Sequence, residues 1–123
     1  MPRSCARPIC APRQGDIVAK YLITGSYTQA GITGVIAEGG SGRREAVRKL
    51  AESVGGKLES FYWGFGKDDF HIVVDLPSAE AAAAIGMTVG AAGSATLRFT
   101  VLLTAEQVDA AAKLSPSYRA PGR

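Results

Sequence analysis

Residues 70–76, FHIVVDL, alternate between the two faces of an extended chain. One face is wholly apolar, and the other carries His71 and Asp75 on either side of Val73. A period of two is typical of a β-strand. An apolar face opposite a largely polar one is typical of an antiparallel sheet that is covered on one side only. The sequence therefore predicts a sheet with a single layer of helices.

Further strands and helices are predicted on both sides of this strand. The predicted strands are 21–27, 57–65 and 94–103, and the predicted helices are 41–54, 79–91 and a short one from Thr104 to about Lys113. The glycine-rich stretch 28–40 is predicted to be a loop with at most one helical turn. The resulting order, βαββαβ with an extra C-terminal helix, predicts an α+β fold of ferredoxin-like type. A chain of 123 residues has room for one such domain.

The first predicted helix has one apolar stripe. Its members recur at the spacing i, i+3, i+4, i+7, which places them on one face. They are Val47, Leu50, Ala51 and Val54. Gly55 and Gly56 follow at once, as expected where a helix ends. We expect this stripe to pack on the sheet.

The second strand, 57–65, is dense in aromatic residues. Phe61, Trp63 and Phe65 share one face, whereas Tyr62 lies on the other. This is more aromatic surface than a lone small chain covers easily. Exposed apolar patches mark an interface or a ligand groove, so we expect this region to have a partner.

The net charge of +3 does not indicate a nucleic-acid partner, because the excess of basic residues lies outside the predicted core. Residues 1–18 and 115–123 hold five arginines against one aspartate, whereas 19–114 hold nine basic and ten acidic side chains. A phosphate-binding surface needs lysines and arginines clustered on a folded face. No apolar run approaches the roughly 18 to 20 residues of a membrane-spanning helix. We therefore expect neither a nucleic acid nor a membrane as partner.

The predicted domain, 18–114, lies between two tails. Residues 1–17 hold three prolines and no periodic pattern, so we expect a disordered N-terminal tail there, and residues 115–123 form a C-terminal tail. The only cysteines, Cys5 and Cys10, lie in the first tail without a second pair to complete a zinc site. A domain without cysteine fits the reducing cytoplasm, where we expect the protein.

Several segments, in order, resemble the GYD domain family over residues 19–122. They are YLITGSYT, EGGSGRREAVRKLAESVGGKLESFYWGFG, VDLPSAEAAAA, LLTAEQVDAAAK and YRAPG. Gly66 and Asp69 match the glycine and aspartate of the motif that names the family, whereas Asp68 stands at its tyrosine position. The resemblance implies a dimeric α/β-barrel fold with pairing through the sheet faces. It implies no particular reaction.

The polar face of the predicted sheet carries the residues best suited to chemistry. His71 is the only histidine, and histidine exchanges a proton near neutral pH. We expect it near Asp75, with Thr24 or Tyr27 of the first strand beside it. Arg98 can hold a carboxylate or a phosphate with its planar fork, or pair with Asp75. The alternative for both His71 and Arg98 is a structural role inside a barrel or a dimer interface.

His71 is thus the candidate catalytic residue, and Arg98, Asp75 and Tyr62 are candidate ligand-binding residues. Asp68 and Asp69 are typical of a turn rather than of a metal site. The glycine-rich run before Arg43 matches neither common nucleotide-binding motif. We therefore predict no metal and no cofactor.

Two functions remain open from the sequence. The first is a homodimeric small-molecule-binding or interaction module, whose partners are a second copy and a small ligand. The second is a small cofactor-free barrel enzyme, an oxygenase or isomerase, that uses His71 as acid or base and Arg98 as an anion holder. A buried pocket containing both residues would favour the enzyme.

Overall fold

The computed structural model describes residues 19–123, which form one sheet and three helices. The elements in chain order are β1 (Ala19–Tyr27), α1 (Gln29–Ser53), β2 (Lys57–Trp63), β3 (Phe70–Leu76), α2 (Ala79–Ala92), β4 (Ala95–Leu102) and α3 (Ala105–Ala112). The strands lie in the order β2-β3-β1-β4, and every neighbouring pair is antiparallel. The predicted α+β, ferredoxin-like arrangement is confirmed.

The hydrophobic core lies between one face of the sheet and the helices. Leu76 and Val74 of β3 are the largest fully buried side chains, and Ile23 of β1 is 3% exposed. Phe61 and Trp63 of β2 stack with their ring centroids 4.1 Å apart. The alternation of β3 predicted from the sequence is confirmed, because the four residues of its apolar face are all buried.

Helix α1 is longer than the sequence predicts. It begins at Gln29, so the predicted loop at 28–40 is wrong, and a kink at Gly39 (φ 81°) separates its two halves. Glycines lower helix propensity, but propensity is a weak term that tertiary contacts override. Here the Thr28 backbone N–H donates to the Ser94 carbonyl at 3.0 Å, and the Thr28 hydroxyl accepts from the Gly31 N–H at 3.1 Å. These bonds fix the start of the helix.

The second half of α1 agrees with the prediction. Ala51 is 1% exposed, and Val47, Leu50 and Val54 pack against the core. The helix ends at Ser53, and Gly55 follows its C-cap with a φ of 83°, which is favourable only for glycine. The predicted apolar stripe and its glycine stop are both confirmed.

Strand β2 ends two residues earlier than predicted, at Trp63. The Gly64 N–H still donates to the Asp69 carbonyl at 3.1 Å, but Phe65 then adopts a φ of 51° and leaves the sheet with 59% of its surface exposed. The connection 64–69 is therefore longer than the four residues, 66–69, that separate the predicted strands. Its last residue, Asp69, forms hydrogen bonds with β1.

The C-terminal part of the described chain is largely exposed to solvent. Thr104 caps α3 through a capping box with Gln107, yet α3 buries none of its residues. Large apolar side chains stand exposed before, within and after it. They are Val101, Leu103, Val108, Leu114 and Tyr118.

The predicted tail at 1–17, with Cys5 and Cys10, lies outside the described residues 19–123. Residues 115–123 form no helix or strand. Within 19–123 none of the helices has both the length and the apolar content needed to cross a bilayer.

Candidate functional site

The face of the sheet opposite the helices, called here the helix-free face, carries most of the predicted site residues. Its positions follow from the strand register, in which each residue opposite another shares its face. They are Lys20, Leu22, Thr24, Ser26, Lys57, Ser60, Tyr62, His71, Val73, Asp75, Thr96, Arg98, Thr100 and Leu102. The sequence correctly assigned His71, Asp75 and Arg98 to one face.

Four of these residues form a row across all four strands, called here the cross-strand row. Tyr62 lies opposite His71, His71 opposite Thr24, and Thr24 opposite Arg98. Adjacent strands are about 4.8 Å apart, so the backbones at His71 and Arg98 are about 10 Å apart. The prediction that Thr24 neighbours His71 is confirmed. Tyr27 instead lies on the core face, where its ring centroid is 5.0 Å from that of Phe70.

His71 is exposed and leans toward the loop after β2. A Cβ placed on Gly64 would lie 3.2 Å from His71 Nε2, so a larger residue at position 64 would make the exposed imidazole shift slightly. Asp75, the predicted neighbour, accepts a hydrogen bond from Lys20 at 2.9 Å instead. The described residues therefore give His71 no carboxylate that would orient it as an acid or base.

Arg98 pairs with Asp68 rather than with Asp75. The guanidinium side chain is 60% exposed, whereas the Asp68 side chain is 16% exposed. The residue at the family's tyrosine position is thus an ion-pair partner of the last strand. Arg98 and Asp75 remain on one face, but they belong to separate charge pairs.

A second charge cluster lies at the other end of the helix-free face. Lys20 donates to both Asp75 and Glu59, the latter being the extra residue of a β-bulge in β2. These hydrogen bonds raise the pKa of Lys20, because they favour its charged form. This cluster could not be predicted from the sequence, since Lys20, Glu59 and Asp75 come from three strands.

The aspartate of the family motif, Asp69, forms hydrogen bonds with the backbone of β1. The Asp69 carboxylate accepts from the Tyr27 N–H at 2.9 Å, and the Asp69 N–H donates to the Gly25 carbonyl at 2.7 Å. Gly66 has open space where a Cβ would stand and no left-handed φ. Nothing in the described structure explains why position 66 is glycine. No group of three His, Cys, Asp or Glu side chains that could hold a metal occurs within 19–123.

A cavity that the sequence did not predict lies on the other side of the sheet. This helix–sheet cavity has a volume of about 90 Å³ and lies between the sheet and the helices. Its walls are mainly aliphatic and aromatic, with Arg43 of α1, Tyr27 of β1 and Ser94 as the main polar contributors. The only sequence signal is that Arg43 falls four residues before Val47, at the edge of the apolar stripe.

Some polar groups of the helix–sheet cavity have hydrogen-bond partners and one does not. Trp63 Nε1 donates to the Tyr27 hydroxyl at 3.0 Å. Burial raises the pKa of Tyr27, and the hydrogen bond from Trp63 offsets part of that shift. Arg43 Nη1 lies 3.1 Å from Glu38, but Arg43 Nε is buried with no hydrogen-bond partner among the described residues.

These features define a class of protein before any comparison is made. Over residues 19–123 the chain is a small α+β protein of ferredoxin-like architecture, with one sheet face that these residues leave uncovered and a small cavity beneath the helices. The family model of the GYD domain matches residues 21–112, and the chain belongs to this family. The resemblance read from the sequence is thereby confirmed. Comparison with curated proteins and with solved structures gave no significant match.

Proposed function

We propose that this GYD-domain protein is a homodimeric module that pairs through its helix-free face and holds a small molecule between the two sheets. The observation that carries the proposal is that none of the side chains of this face is buried within 19–123, whereas the opposite positions of β3 all are. A sheet packs a second layer about 10 Å away. A second copy supplies such a layer by a two-fold axis, with one surface used twice.

The side chains of the helix-free face suit such pairing. Its centre is apolar, because half-buried Leu22 and Val73 lie opposite each other on β1 and β3. Small hydroxyl side chains, Ser60 and Thr100, continue that row outward. An apolar centre inside a polar rim is the usual anatomy of a protein interface.

The charges of this face also permit a second copy to approach. The basic residues Lys20, Lys57 and Arg98 are balanced by three acidic ones, so the face carries no net charge. Acidic Asp68, Asp75 and Glu59 already pair within the chain. Like-charge repulsion between two copies is therefore small.

The area is adequate when the C-terminal segment is included. Four strands of about eight residues give a face of roughly 19 by 26 Å, or about 500 Å² in projection. A standard interface buries about 800 Å² per partner. The apolar side chains of Val108, Leu114 and Tyr118, all exposed in the single chain, supply further surface for a second copy.

Pairing would enclose the cross-strand row between the sheets. His71 and the Tyr62 hydroxyl would then face a shared space, with Arg98 and Asp68 near its edge. This arrangement supports a ligand with hydrogen-bonding groups, held by residues of both copies. The cysteine-free range 19–123 is consistent with the reducing cytoplasm, where we propose that the module works.

The proposal is tested by placing a charge at the centre of the helix-free face. Leu22→Asp should reduce the mass measured by light scattering to that of a single chain, 12.8 kDa. Ile36→Asp is the matched control, because Ile36 is 79% exposed on α1, away from this face. A Leu22→Asp variant that keeps the same mass and melting temperature as the wild type would contradict pairing through this face.

A second pair of variants tests the ligand site within the dimer. His71→Ala and Arg98→Ala should both keep the dimer mass, since neither lies at the apolar centre. Loss of a small molecule that co-purifies with the wild type, detected by native mass spectrometry, would support a binding role. Dissociation of either variant into single chains would assign that residue a structural role instead.

A further inference from the structure

We propose that the helix–sheet cavity binds a small aliphatic monocarboxylate, with its chain among the apolar walls and its carboxylate on Arg43. This site lies on the opposite side of the sheet from the helix-free face, so ligand binding here does not depend on dimerisation. The proposal rests on the size of the cavity, its apolar walls, and an arginine whose buried Nε has no partner among the described residues.

The dimensions of the cavity select a short, apolar chain. At about 90 Å³ it is smaller than an apolar cavity of about 150 Å³ that accepts benzene. Its walls come from the sheet, α1 and α2. The apolar wall residues include Ile23, Val47, Leu50, Phe70, Ile85 and Leu97. An aliphatic chain of a few carbons suits this space better than an aromatic ring.

Arg43 supplies the anion-binding group. Its Nη1 is engaged by Glu38 at 3.1 Å, which leaves the side-on edge formed by Nε and Nη2. Nε on that edge is shielded from solvent and has no acceptor among residues 19–123. A guanidinium edge binds a carboxylate through two parallel hydrogen bonds. A buried donor without an acceptor is costly, so a shift of the Arg43 side chain that brings this edge to a ligand oxygen is favourable.

Tyr27 adds a second donor to the same cavity. Its hydroxyl oxygen accepts from Trp63 Nε1, so the hydroxyl hydrogen remains to be donated. Burial raises the pKa of Tyr27, which keeps that hydrogen in place. Glu38 already pairs with the charge of Arg43, so the two donors, rather than a free positive charge, match a ligand with oxygen acceptors.

The single tryptophan makes the site observable. Trp63 is the only tryptophan in the sequence, and its indole is hydrogen-bonded to Tyr27 of the cavity. Titration of the full chain with sodium pentanoate should give a saturable change in tryptophan emission. The matched probes 1-pentanol and pentylamine have the same chain without the carboxylate, and we expect them to bind at least tenfold more weakly.

Two variants and one control locate the binding. Arg43→Gln should weaken pentanoate binding at least tenfold, whereas Arg44→Gln, on the exposed neighbouring position, should change it less than twofold. Val47→Phe should abolish binding by filling the cavity. Circular dichroism melting establishes that each variant is folded, and the comparison of probes on the wild type needs no variant at all.

Three results would overturn the proposal. One is the absence of a saturable response to pentanoate in the folded wild type. Another is binding of 1-pentanol as tight as that of pentanoate, which would mean a plain apolar cavity. The third is a folded Arg43→Gln variant with wild-type affinity. None of these results bears on the mass of the protein, so they leave the pairing proposal untouched.

Discussion

The Asp69 carboxylate accepts a hydrogen bond from the Tyr27 backbone N–H at 2.9 Å, which ties the loop after β2 to the end of β1. The Asp69 N–H makes a second tie, to the Gly25 carbonyl at 2.7 Å. The aspartate of the family motif therefore acts on the backbone of the central strand. It holds the loop that also carries Asp68 toward Arg98.

Replacement of Asp69 should destabilise the fold more than replacement of its neighbour. Asp69→Ala leaves the Tyr27 N–H without its acceptor, at a cost of about 1 to 3 kcal/mol. Asp68→Ala removes an ion pair with a largely exposed arginine, which is worth less than about 1 kcal/mol. Urea unfolding of both variants measures the difference. Equal losses in the two variants would contradict a backbone role for Asp69.

Two glycines of the same helix should respond to alanine in opposite directions. A Cβ on Gly31 would lie 2.0 Å from the Ser94 carbonyl oxygen, whereas one on Gly34 would meet nothing within 4 Å. Gly31→Ala should therefore cost at least about 2 kcal/mol, since backbone must move. Gly34→Ala should stabilise by about 0.5 to 1 kcal/mol through helix propensity. Thermal melting compares them, and a tolerated Gly31→Ala would contradict the close contact between α1 and Ser94, the residue before β4.

Tyr27→Phe should change how stability depends on alkaline pH. Burial raises the pKa of Tyr27 above its ordinary value of 10.0, so above about pH 10 the unfolded chain loses this proton first. The stability that depends on the protonated hydroxyl is complete below pH 10 and falls as the pH rises through the folded-state pKa. The variant should show a shallower alkaline loss than the wild type.

The control for this prediction is Tyr118→Phe, because Tyr118 is 77% exposed. At neutral pH, Tyr27→Phe should also cost about 1 kcal/mol, since Trp63 Nε1 loses its acceptor. Denaturant unfolding across the alkaline range measures both effects. Identical pH profiles for the two variants would show that Tyr27 is not buried in solution.

Leu50→Ala should weaken the packing of α1 on the sheet. Leu50 contacts the core from α1 but is only half-buried and borders the helix–sheet cavity. The loss should therefore lie at the low end for such changes, about 2 kcal/mol. Lys49→Ala, on the exposed side, should stay within about 0.5 kcal/mol. A loss for Leu50→Ala as small as that for Lys49→Ala would mean that α1 does not pack as described.

The sequence predicted the elements whose pattern is local. The strict alternation of β3 and the stripe around Leu50 both identify their structure without long-range information. The glycine-rich start of α1 could not be predicted in this way. Its stability depends on bonds from Thr28 to Ser94, a residue far along the chain.

In the candidate site, too, the local patterns were predictable and the long-range contacts were not. Residue alternation placed His71, Asp75 and Arg98 on one face, and strand order brought Thr24 beside His71. The ion pairs were not predictable, because Arg98 pairs with Asp68 of a loop and not with Asp75, which lies on the same sheet face as Arg98. The helix–sheet cavity was also missed, since its walls come from separate elements and only Arg43 departs from an apolar pattern.

The central claim, that the helix-free face pairs with a second copy, is tested most directly by the mass of the wild-type protein in solution. Gel filtration coupled to light scattering should give about twice the single-chain mass of 12.8 kDa, or a multiple built from such pairs, throughout the micromolar range. A mass that stays at 12.8 kDa over the whole of that range would contradict the claim.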